Sequence, residues 1–341
     1  MRNLQLVPPH FGLLFARKTP RAENLRTVFR SFFLCLGEHM PISRKDSAFV
    51  TRFIRNLRGG SQPILAEASD GFQYVVKFAD NLQGPNVLFN ESAGSELYRA
   101  CGVPVPEWRP LRVSDSFLDE NPDCWMQTPE GHRRPTSGLC FGSRHLGGKG
   151  KRVLEILPSS SFSRVRDLTS FWMAWLVDVC AEHCDNRQAV FEEDSDGWLN
   201  AYFIDQGHLF GGPKGELKKN FHASRYLDPR IYGQVTSETL WNIQNVLWAL
   251  DADSLLKTVE ALPADWKQAS ARDGLERCLQ RLTKPLLVQN ILETIIDDIE
   301  RRAATETDFR GYDWKPPARV LRAEVSGSEL VCHLAHHPAC A

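Results

Sequence analysis

The spacing of apolar residues changes once along this chain, and that change restricts the fold more than any other feature. From about Phe49 to Val113, short apolar runs alternate with turns, as in strands. Two such runs, Ile64–Ala66 and Tyr74–Phe78, flank the turn Ser69–Gly71 and predict a β-hairpin. Beyond Ser163 the apolar spacing becomes helical. This order predicts an α+β fold in which a β-rich part precedes a mainly helical part.

Four stretches predict helices, and one irregular, strand-like segment interrupts them. The first stretch has Asn86 as its predicted N-cap, the second is apolar on most faces and should be central, and the last has a stripe of apolar residues every fourth position. The predicted helices are Asn86–Cys101, Leu168–Cys184, Ser237–Leu262 and Leu286–Ala304, the stripe is Leu287, Ile291, Ile295 and Ile299, and the interruption runs from Asp185 to Gly212.

Both ends of the chain differ from the middle. The first 40 residues are rich in Arg and Lys and poor in acids, and the segment from Asp308 loses helical periodicity. We therefore predict four parts: a flexible N-terminal arm at 1–45, a β-rich N-terminal lobe at 46–143, a helical C-terminal lobe at 144–307 and a flexible C-terminal tail at 308–341. Translation could start at Met1 or at Met40, and the sequence leaves both open.

Composition argues against several classes of partner and activity. With 41 Lys and Arg against 42 Asp and Glu, the net charge is −1, so no global field attracts nucleic acid or an anionic membrane. The nine cysteines are odd in number and include no C-x-x-C pair, which favours a reducing, cytoplasmic location. Motifs typical of dehydrogenases, serine hydrolases and zinc proteases are absent from the sequence.

A pair of glycines precedes the first predicted strand of the hairpin. Gly59, Gly60 and Ser61 could bring backbone N–H groups and a hydroxyl close to the oxygens of an anionic ligand. An ordinary turn needs the same glycines, so the motif alone does not distinguish a binding loop from a connection.

Lys77 lies in the second strand of the hairpin, on the same face as Val75. A lysine there either lies at an exposed edge or points into a cleft. Glu91, near the start of the following helix, could pair with Lys77, and Glu96 is the rival partner. An ordinary carboxylate at a helix start is the alternative interpretation of Glu91.

Two polar clusters lie in the irregular segment. One runs from His183 to Gln188 and includes Asp185 and Arg187, directly after an apolar helix. The other places Asp205 after the apolar run Tyr202–Ile204 and before a glycine. Two aspartates at the ends of neighbouring strands would converge on one site. One carboxylate could orient an acceptor hydroxyl and the other could hold Mg²⁺, while a lysine contacts phosphate.

In the order and spacing of these motifs, the chain resembles the HipA-like kinases, distant members of the protein kinase and phosphatidylinositol 3/4-kinase superfamily. The resemblance covers roughly residues 55–304. It implies a two-lobed protein-kinase-like fold that binds ATP with Mg²⁺ and transfers the γ-phosphate to a Ser or Thr hydroxyl, with a protein as the expected substrate. Its motifs are Gly59-Gly60-Ser61, Val75-Val76-Lys77-Phe78, Asn90-Glu91, Gly102–Pro106, His183–Gln188 and Phe203–His208.

The resemblance also implies roles for individual residues. Asp185 would be the catalytic-loop aspartate, Asp205 the metal-binding aspartate, Lys77 the contact to the α- and β-phosphates, and Glu91 the residue that orients Lys77. Arg187 would stand where such loops often carry His or Arg, as a catalytic-loop residue.

At one position the sequence departs from the family. An Asn five residues after the aspartate usually supplies a second metal ligand, and here that position is Val190. Gln188 is the nearest amide and could replace it, as a catalytic-loop residue that also contacts metal. A pseudokinase that binds nucleotide without turnover, acting as an interaction module, is therefore the alternative function.

Three other features are better explained without a site. The segment 146–152 lacks the spacing of a phosphate-binding P-loop, and the Cys and His residues of the tail lack the paired spacing of zinc ligands. The tryptophans are not interleaved with Lys and Arg, so we expect them in the core and not on a nucleic-acid-binding surface. The Cys and His residues of the tail are Cys332, His333, His336, His337 and Cys340. The tryptophans are Trp108, Trp125, Trp172, Trp175, Trp198, Trp241 and Trp248.

Overall fold

The computed structural model describes residues 48–147, 151–215, 224–226, 228–232, 237–305, 319–326 and 329–335. All of them belong to one compact unit, Ser47–Ala341, and the predicted arm at 1–45 lies outside the described residues. Strands and helices both contribute, so the fold is α+β, as the sequence predicts. The predicted boundary at residues 143 and 144 lies within this unit, and the division into two lobes stays a prediction.

A small closed barrel forms the first part of the unit, with strand order β1-β2-β3-β7-β4. The predicted hairpin is present as antiparallel β2 and β3, in which Ile64 lies opposite Val76. Both residues are fully buried, because alternate side chains of each strand point into the barrel. The strands to this point are β1 (Ala48–Asn56), β2 (Ile64–Ala68), β3 (Gln73–Lys77), β4 (Trp108–Val113), β5 (Met126–Thr128), β6 (Gly131–Arg133) and β7 (Gly138–Arg144).

Helices supply most of the larger hydrophobic core. The predicted central helix is present as α3, in which Ser170 to Cys180 are all buried. One predicted helix, Ser237–Leu262, is two helices in the structure, because Asp251 interrupts it and accepts a hydrogen bond from the Ser254 amide as the N-cap of the second. The helices are α1 (Val87–Ala100), α2 (Asp115–Glu120), α3 (Thr169–Cys180), α4 (Ser237–Trp248), α5 (Ala252–Glu260), α6 (Ala269–Leu282) and α7 (Pro285–Thr305).

Three expectations about side chains need correction. The buried stripe of α7 includes Val288 and Leu292, while the predicted Leu287 and Ile291 lie only at its margin. Asn86 precedes α1 without a side-chain capping bond. Trp108, Trp172 and Trp175 are in the core as predicted, but Trp198, Trp241 and Trp248 are exposed. Apolar spacing alone does not show which helix face a neighbouring element covers.

A three-stranded sheet places the two polar clusters at the same end of one hairpin. Its strands are β8 (Val153–Leu154), β9 (Gln188–Glu193) and β10 (Leu199–Ile204), and in the antiparallel β9–β10 pair Gln188 lies opposite Ile204. Asp185 precedes β9 and Asp205 follows β10. The register therefore brings the segments that carry both aspartates together.

Where the sequence predicts a C-terminal tail, the structure has the antiparallel hairpin of β11 (Arg319–Ser326) and β12 (Glu329–Ala335). Alternating apolar residues in both segments suit such a pair, although they show no helical period. Among the described helices, none is long and apolar enough to cross a membrane. The six cysteines whose side chains are described are free thiols.

Candidate active site

Lys77 ends β3 with its amino group between two carboxylates. Its Nζ donates a hydrogen bond to Oε1 of Glu91 and another to Oδ1 of Asp205, the latter at 2.8 Å. Only 8% of the Lys77 side chain is exposed, against 26% for Asp205 and 2% for Glu91. Val76, the preceding residue, points into the barrel core, so Lys77 points away from the barrel interior, and the structure brings it together with Glu91 and Asp205.

Glu91 is held in place from a second direction. It lies in α1, where its Oε1 accepts a hydrogen bond from the Gly207 amide at 2.8 Å and its Oε2 accepts one from the Gln206 amide at 3.3 Å. The rival residue, Glu96, pairs instead with Arg99 and accepts a bond from Nε1 of Trp108 at 2.8 Å. Between the two candidates, Glu91 is the partner of Lys77.

The ionisation of these three groups is strongly coupled. Burial would lower the pKa of Lys77, but the Asp205 and Glu91 carboxylates outweigh burial and raise it. Burial would likewise raise the pKa of Asp205, yet Lys77 outweighs burial and holds it well below its usual range. At Glu91, burial raises the pKa despite the attraction of Lys77. Lys77 and Asp205 are therefore charged at neutral pH.

Asp205 follows β10 with a positive φ of 63°. Its Oδ1 accepts the bond from Lys77, and its Oδ2 accepts one from Nε2 of Gln188 at 3.0 Å. Gln188 is exposed, at the first position of β9. Val190, two positions further along β9, lies opposite Tyr202 in the strand register.

Asp185 is accessible, with 45% of its side chain exposed. Its Oδ1 accepts a hydrogen bond from the Asn186 amide at 2.8 Å, and its Oδ2 lies 3.9 Å from Nε2 of His208. Nδ1 of His208 lies 3.5 Å from Sγ of Cys184. Asp185 thus has a carboxylate that solvent reaches beside an imidazole, an arrangement suited to orienting a hydroxyl group.

The glycine turn is connected to this loop through a residue that the sequence did not single out. Gln83 lies against Gly60, where an added Cβ would be 2.6 Å from its Nε2, and this nitrogen lies 3.0 Å from Nε2 of His208. Gly59 has a φ of 128°, a conformation that favours glycine. Ser61 is buried, and its carbonyl accepts a bond from the Asn81 side chain at 3.1 Å.

Arg187 does not lie with the exposed residues of the loop. Its side chain is 1% exposed, and its guanidinium forms a buried ion pair with Asp178 of α3. The resemblance implies that Arg187 is a catalytic-loop residue, and in the structure its side chain is buried. Asp178 was missed because an acid within an apolar helix gives no signal of its partner, which lies nine positions further along.

The donor set of the site suits a hard divalent cation bound together with an anionic ligand. Asp205 offers an ionised carboxylate, and each of its oxygens can accept a second partner. Across the described residues, no three His, Cys, Asp or Glu side chains are grouped as ligands. The protein would then supply one carboxylate and the amide oxygen of Gln188, and phosphate oxygens and water would supply the rest, as Mg²⁺ prefers.

Two groups of sequence candidates lie only partly within the described residues. The loop at 146–152 is interrupted at 148–150, and Lys151 and Arg152 pair with Glu192 and Glu193. For the cysteine and histidine residues of the tail, no side chain is described.

The chain matches no protein family model and no curated protein. Solved structures similar to it include a Fam20 protein of hydra with sugar, at 13% identity and a TM-score of 0.49, covering 75% of this chain and 88% of that one. The Golgi casein kinase with Mn and ADP bound is similar at 14% identity and a TM-score of 0.43, covering 74% of both chains. The proinflammatory kinase CtkA of Helicobacter pylori is similar at 10% identity and a TM-score of 0.42, covering 73% and 96%. At these identities and TM-scores, the similarity does not assign a function to this chain.

Proposed function

We propose that this protein is an ATP-dependent phosphotransferase, a HipA-like kinase that moves the γ-phosphate of ATP to a Ser or Thr hydroxyl of a protein. The observation that carries the proposal is the position of the Lys77 amino group between the carboxylates of Glu91 and Asp205. A buried lysine with two carboxylates contributes little net stability compared with apolar packing. The arrangement is better explained by an anionic ligand with a bound cation, in which Lys77 would contact the anion and Asp205 the cation.

Each group would have a separate task. Lys77, oriented by Glu91, would bind phosphate oxygens, and the turn at Gly59, Gly60 and Ser61 would cover them with backbone N–H groups. A magnesium ion, when bound through Asp205 and Gln188, would neutralise phosphate charge. The exposed Asp185 carboxylate would accept a hydrogen bond from the hydroxyl of the acceptor and orient its oxygen for attack.

The first test is binding, followed by transfer. Calorimetry and thermal unfolding with ATP and Mg²⁺ should show stabilisation of about 2.7 kcal/mol at a hundredfold excess over the dissociation constant. Radiolabelled ATP should then label either the protein itself or proteins of a lysate. Lys77→Met is the variant that should lose both, and Lys267→Met, which removes a lysine of the exposed Glu260 ion pair, is the matched control. No response to any nucleotide in either assay would overturn the proposal.

A nucleotide-binding pseudokinase is the second candidate, and the residue that favours it is Val190. The resemblance expects an Asn at this position, and valine offers no oxygen to a metal. In addition, Gln188 is a hydrogen-bond donor to Asp205 in the structure. Tight binding of ATP without autophosphorylation, ATPase activity or a labelled substrate would favour the pseudokinase over the kinase.

A further inference from the structure

The ion pair of Arg187 and Asp178 is buried on every side. Nε of Arg187 donates to Oδ2 of Asp178 at 2.9 Å, and Nη2 donates to Oδ1 at 2.7 Å. The two side chains are 1% and 0% exposed. The Tyr98 hydroxyl of α1 donates to the same Oδ1. Because departure of the guanidinium would leave the Asp178 charge buried, Arg187 cannot leave this position to contact a ligand at low cost.

The remaining nitrogen of the guanidinium reaches the backbone of the candidate site. Nη1 of Arg187 donates to the carbonyl oxygen of Ile204 at 2.9 Å and to that of Asp205 at 3.4 Å. These carbonyls lie where β10 ends and the chain enters the left-handed region at Asp205, with a φ of 63°. A residue with a side chain keeps this conformation when its neighbours hold it there.

The same stretch of backbone determines the spacing of the three charged groups. The Asp205 carboxylate contacts Lys77, and the next two amides, of Gln206 and Gly207, donate to Glu91. A rotation of the backbone at Asp205 would therefore move its carboxylate and both amides together. Lys77 and Glu91, which belong to other elements, would keep their bond to each other but lose these contacts to the loop.

We propose that Arg187 is a positioning residue. Supported by Asp178, it holds the Asp205 backbone in its left-handed conformation, so that the Asp205 carboxylate faces Lys77 and the metal site. This inference rests on the proposed function for its effect on ATP binding, but the backbone effect can be measured without ATP. It gives Arg187 a role different from direct action on the reacting groups.

The experiment compares Arg187→Lys and Asp178→Asn with a matched control, Arg164→Lys. Arg164 holds the opposite end of the same hairpin, where its Nε donates to the Gly197 carbonyl at 2.9 Å. In the full-length protein, hydrogen–deuterium exchange of overlapping peptides reports the amides of Gln206 and Gly207 without nucleotide. Calorimetry then gives the ATP affinity with and without Mg²⁺.

In both variants we expect exchange at Gln206 and Gly207 to be about tenfold faster, while the Phe203 amide, bonded to the Pro104 carbonyl, stays protected. The gain in ATP affinity that Mg²⁺ provides should fall about tenfold, as for other residues that support a metal ligand, and the metal-free affinity should change less than about twofold. The control should change neither quantity.

Other results would overturn the inference. Unchanged exchange at the two amides would show that Arg187 does not hold this backbone, and an equal loss of ATP affinity with and without Mg²⁺ would indicate direct contact with phosphate. If neither variant folds, Tyr98→Phe removes only the hydroxyl bond to Asp178, and exchange at the two amides should be about threefold faster if the inference holds and unchanged if it fails. If the wild type binds no ATP, the proposed function fails while the exchange result still tests the positioning role.

Discussion

Gln83 and His208 are in contact, with the Nε2 atoms of the two side chains 3.0 Å apart. Gln83 also lies against Gly60 of the glycine turn, and His208 lies beside Asp185 and Cys184 of the polar loop. One glutamine therefore connects the turn proposed to cover phosphate with the loop proposed to orient the acceptor. The contact gives a physical path by which a change in the turn would affect the loop.

The first prediction tests this connection with a double-mutant cycle. A methyl group at residue 60 would lie 2.6 Å from Nε2 of Gln83, so Gly60→Ala should move the flexible glutamine away from His208. Gly60→Ala and Gln83→Ala should each slow phosphate transfer about fivefold. The double variant should be no slower than either single one, because all three variants lose the same contact between Gln83 and His208. Strictly additive effects in a transfer assay would contradict the connection.

The second prediction uses two glutamates of the same helix. Glu91→Gln removes one of the two carboxylates around the buried Lys77, so we expect unfolding free energy to fall by about 2 kcal/mol and transfer to fall at least about tenfold. Glu96→Gln is the matched control, because Glu96 pairs with the partly exposed Arg99 and should change stability by less than about 1 kcal/mol. Denaturant unfolding and a transfer assay provide both values, and equal effects of the two variants would refute the assignment.

Sequence periodicity was sufficient to predict those features that depend on local spacing. The hairpin of β2 and β3 and the face that Lys77 shares with Val75 follow from strand alternation, and the central α3 follows from its apolar faces. The choice between Glu91 and Glu96 could not be made in this way. Both lie near Lys77 along the chain, and only the packing of α1 against the loop after β10 decides it.

Contacts between distant segments explain what the sequence did not reveal. The Asn86 side chain donates to Ser270, 184 residues away, and to the Gly212 carbonyl. Asn is a residue type typical of helix caps, but here it connects distant segments. The sequence likewise gives no signal of the roles of Gln83 and Asp178. Gln83 lies in a polar loop and Asp178 in an apolar helix, and neither context indicates which residue each one contacts. Tertiary packing, which no local pattern encodes, selects these roles.

The third prediction concerns pH. In the folded protein Lys77 outweighs burial and holds the pKa of Asp205 well below its usual range, while the pKa of an aspartate in the unfolded chain is about 3.9. The carboxylate therefore contributes stability that is fully present above about pH 4 and is lost as the pH falls through the folded pKa. The difference in unfolding free energy between wild type and Asp205→Asn should be constant from about pH 5 to 7 and shrink below about pH 4. A difference that grows in acid would show the opposite sign of coupling.

The fourth prediction separates the two aspartates. Asp185 is exposed and contacts neither Lys77 nor Glu91 in the described hydrogen bonds, so Asp185→Asn should abolish transfer and change ATP affinity less than about threefold. Asp205→Asn, which tolerates the left-handed backbone, should instead weaken binding that depends on Mg²⁺. Calorimetry and a single-turnover assay distinguish these effects. Equal loss of ATP affinity in both variants would reject the division of tasks.

The last prediction concerns Gln188 and Val190. Nε2 of Gln188 donates to Oδ2 of Asp205, which leaves the amide oxygen of Gln188 as the atom that could bind a cation. If it does, Gln188→Leu should reduce Mn²⁺-dependent ATP affinity about tenfold, whereas Gln188→Glu, which keeps an oxygen, should retain it. Val190→Asn adds an amide at the position where the resemblance expects one, on the same face of β9 as Gln188. In the Gln188→Leu background it should restore at least part of the Mn²⁺ dependence.

Electron paramagnetic resonance of bound Mn²⁺ with ATP measures the number and affinity of metal sites directly. If Gln188→Leu leaves the Mn²⁺ spectrum and affinity unchanged, Gln188 serves only to orient Asp205, and the pseudokinase alternative gains support when transfer is also absent.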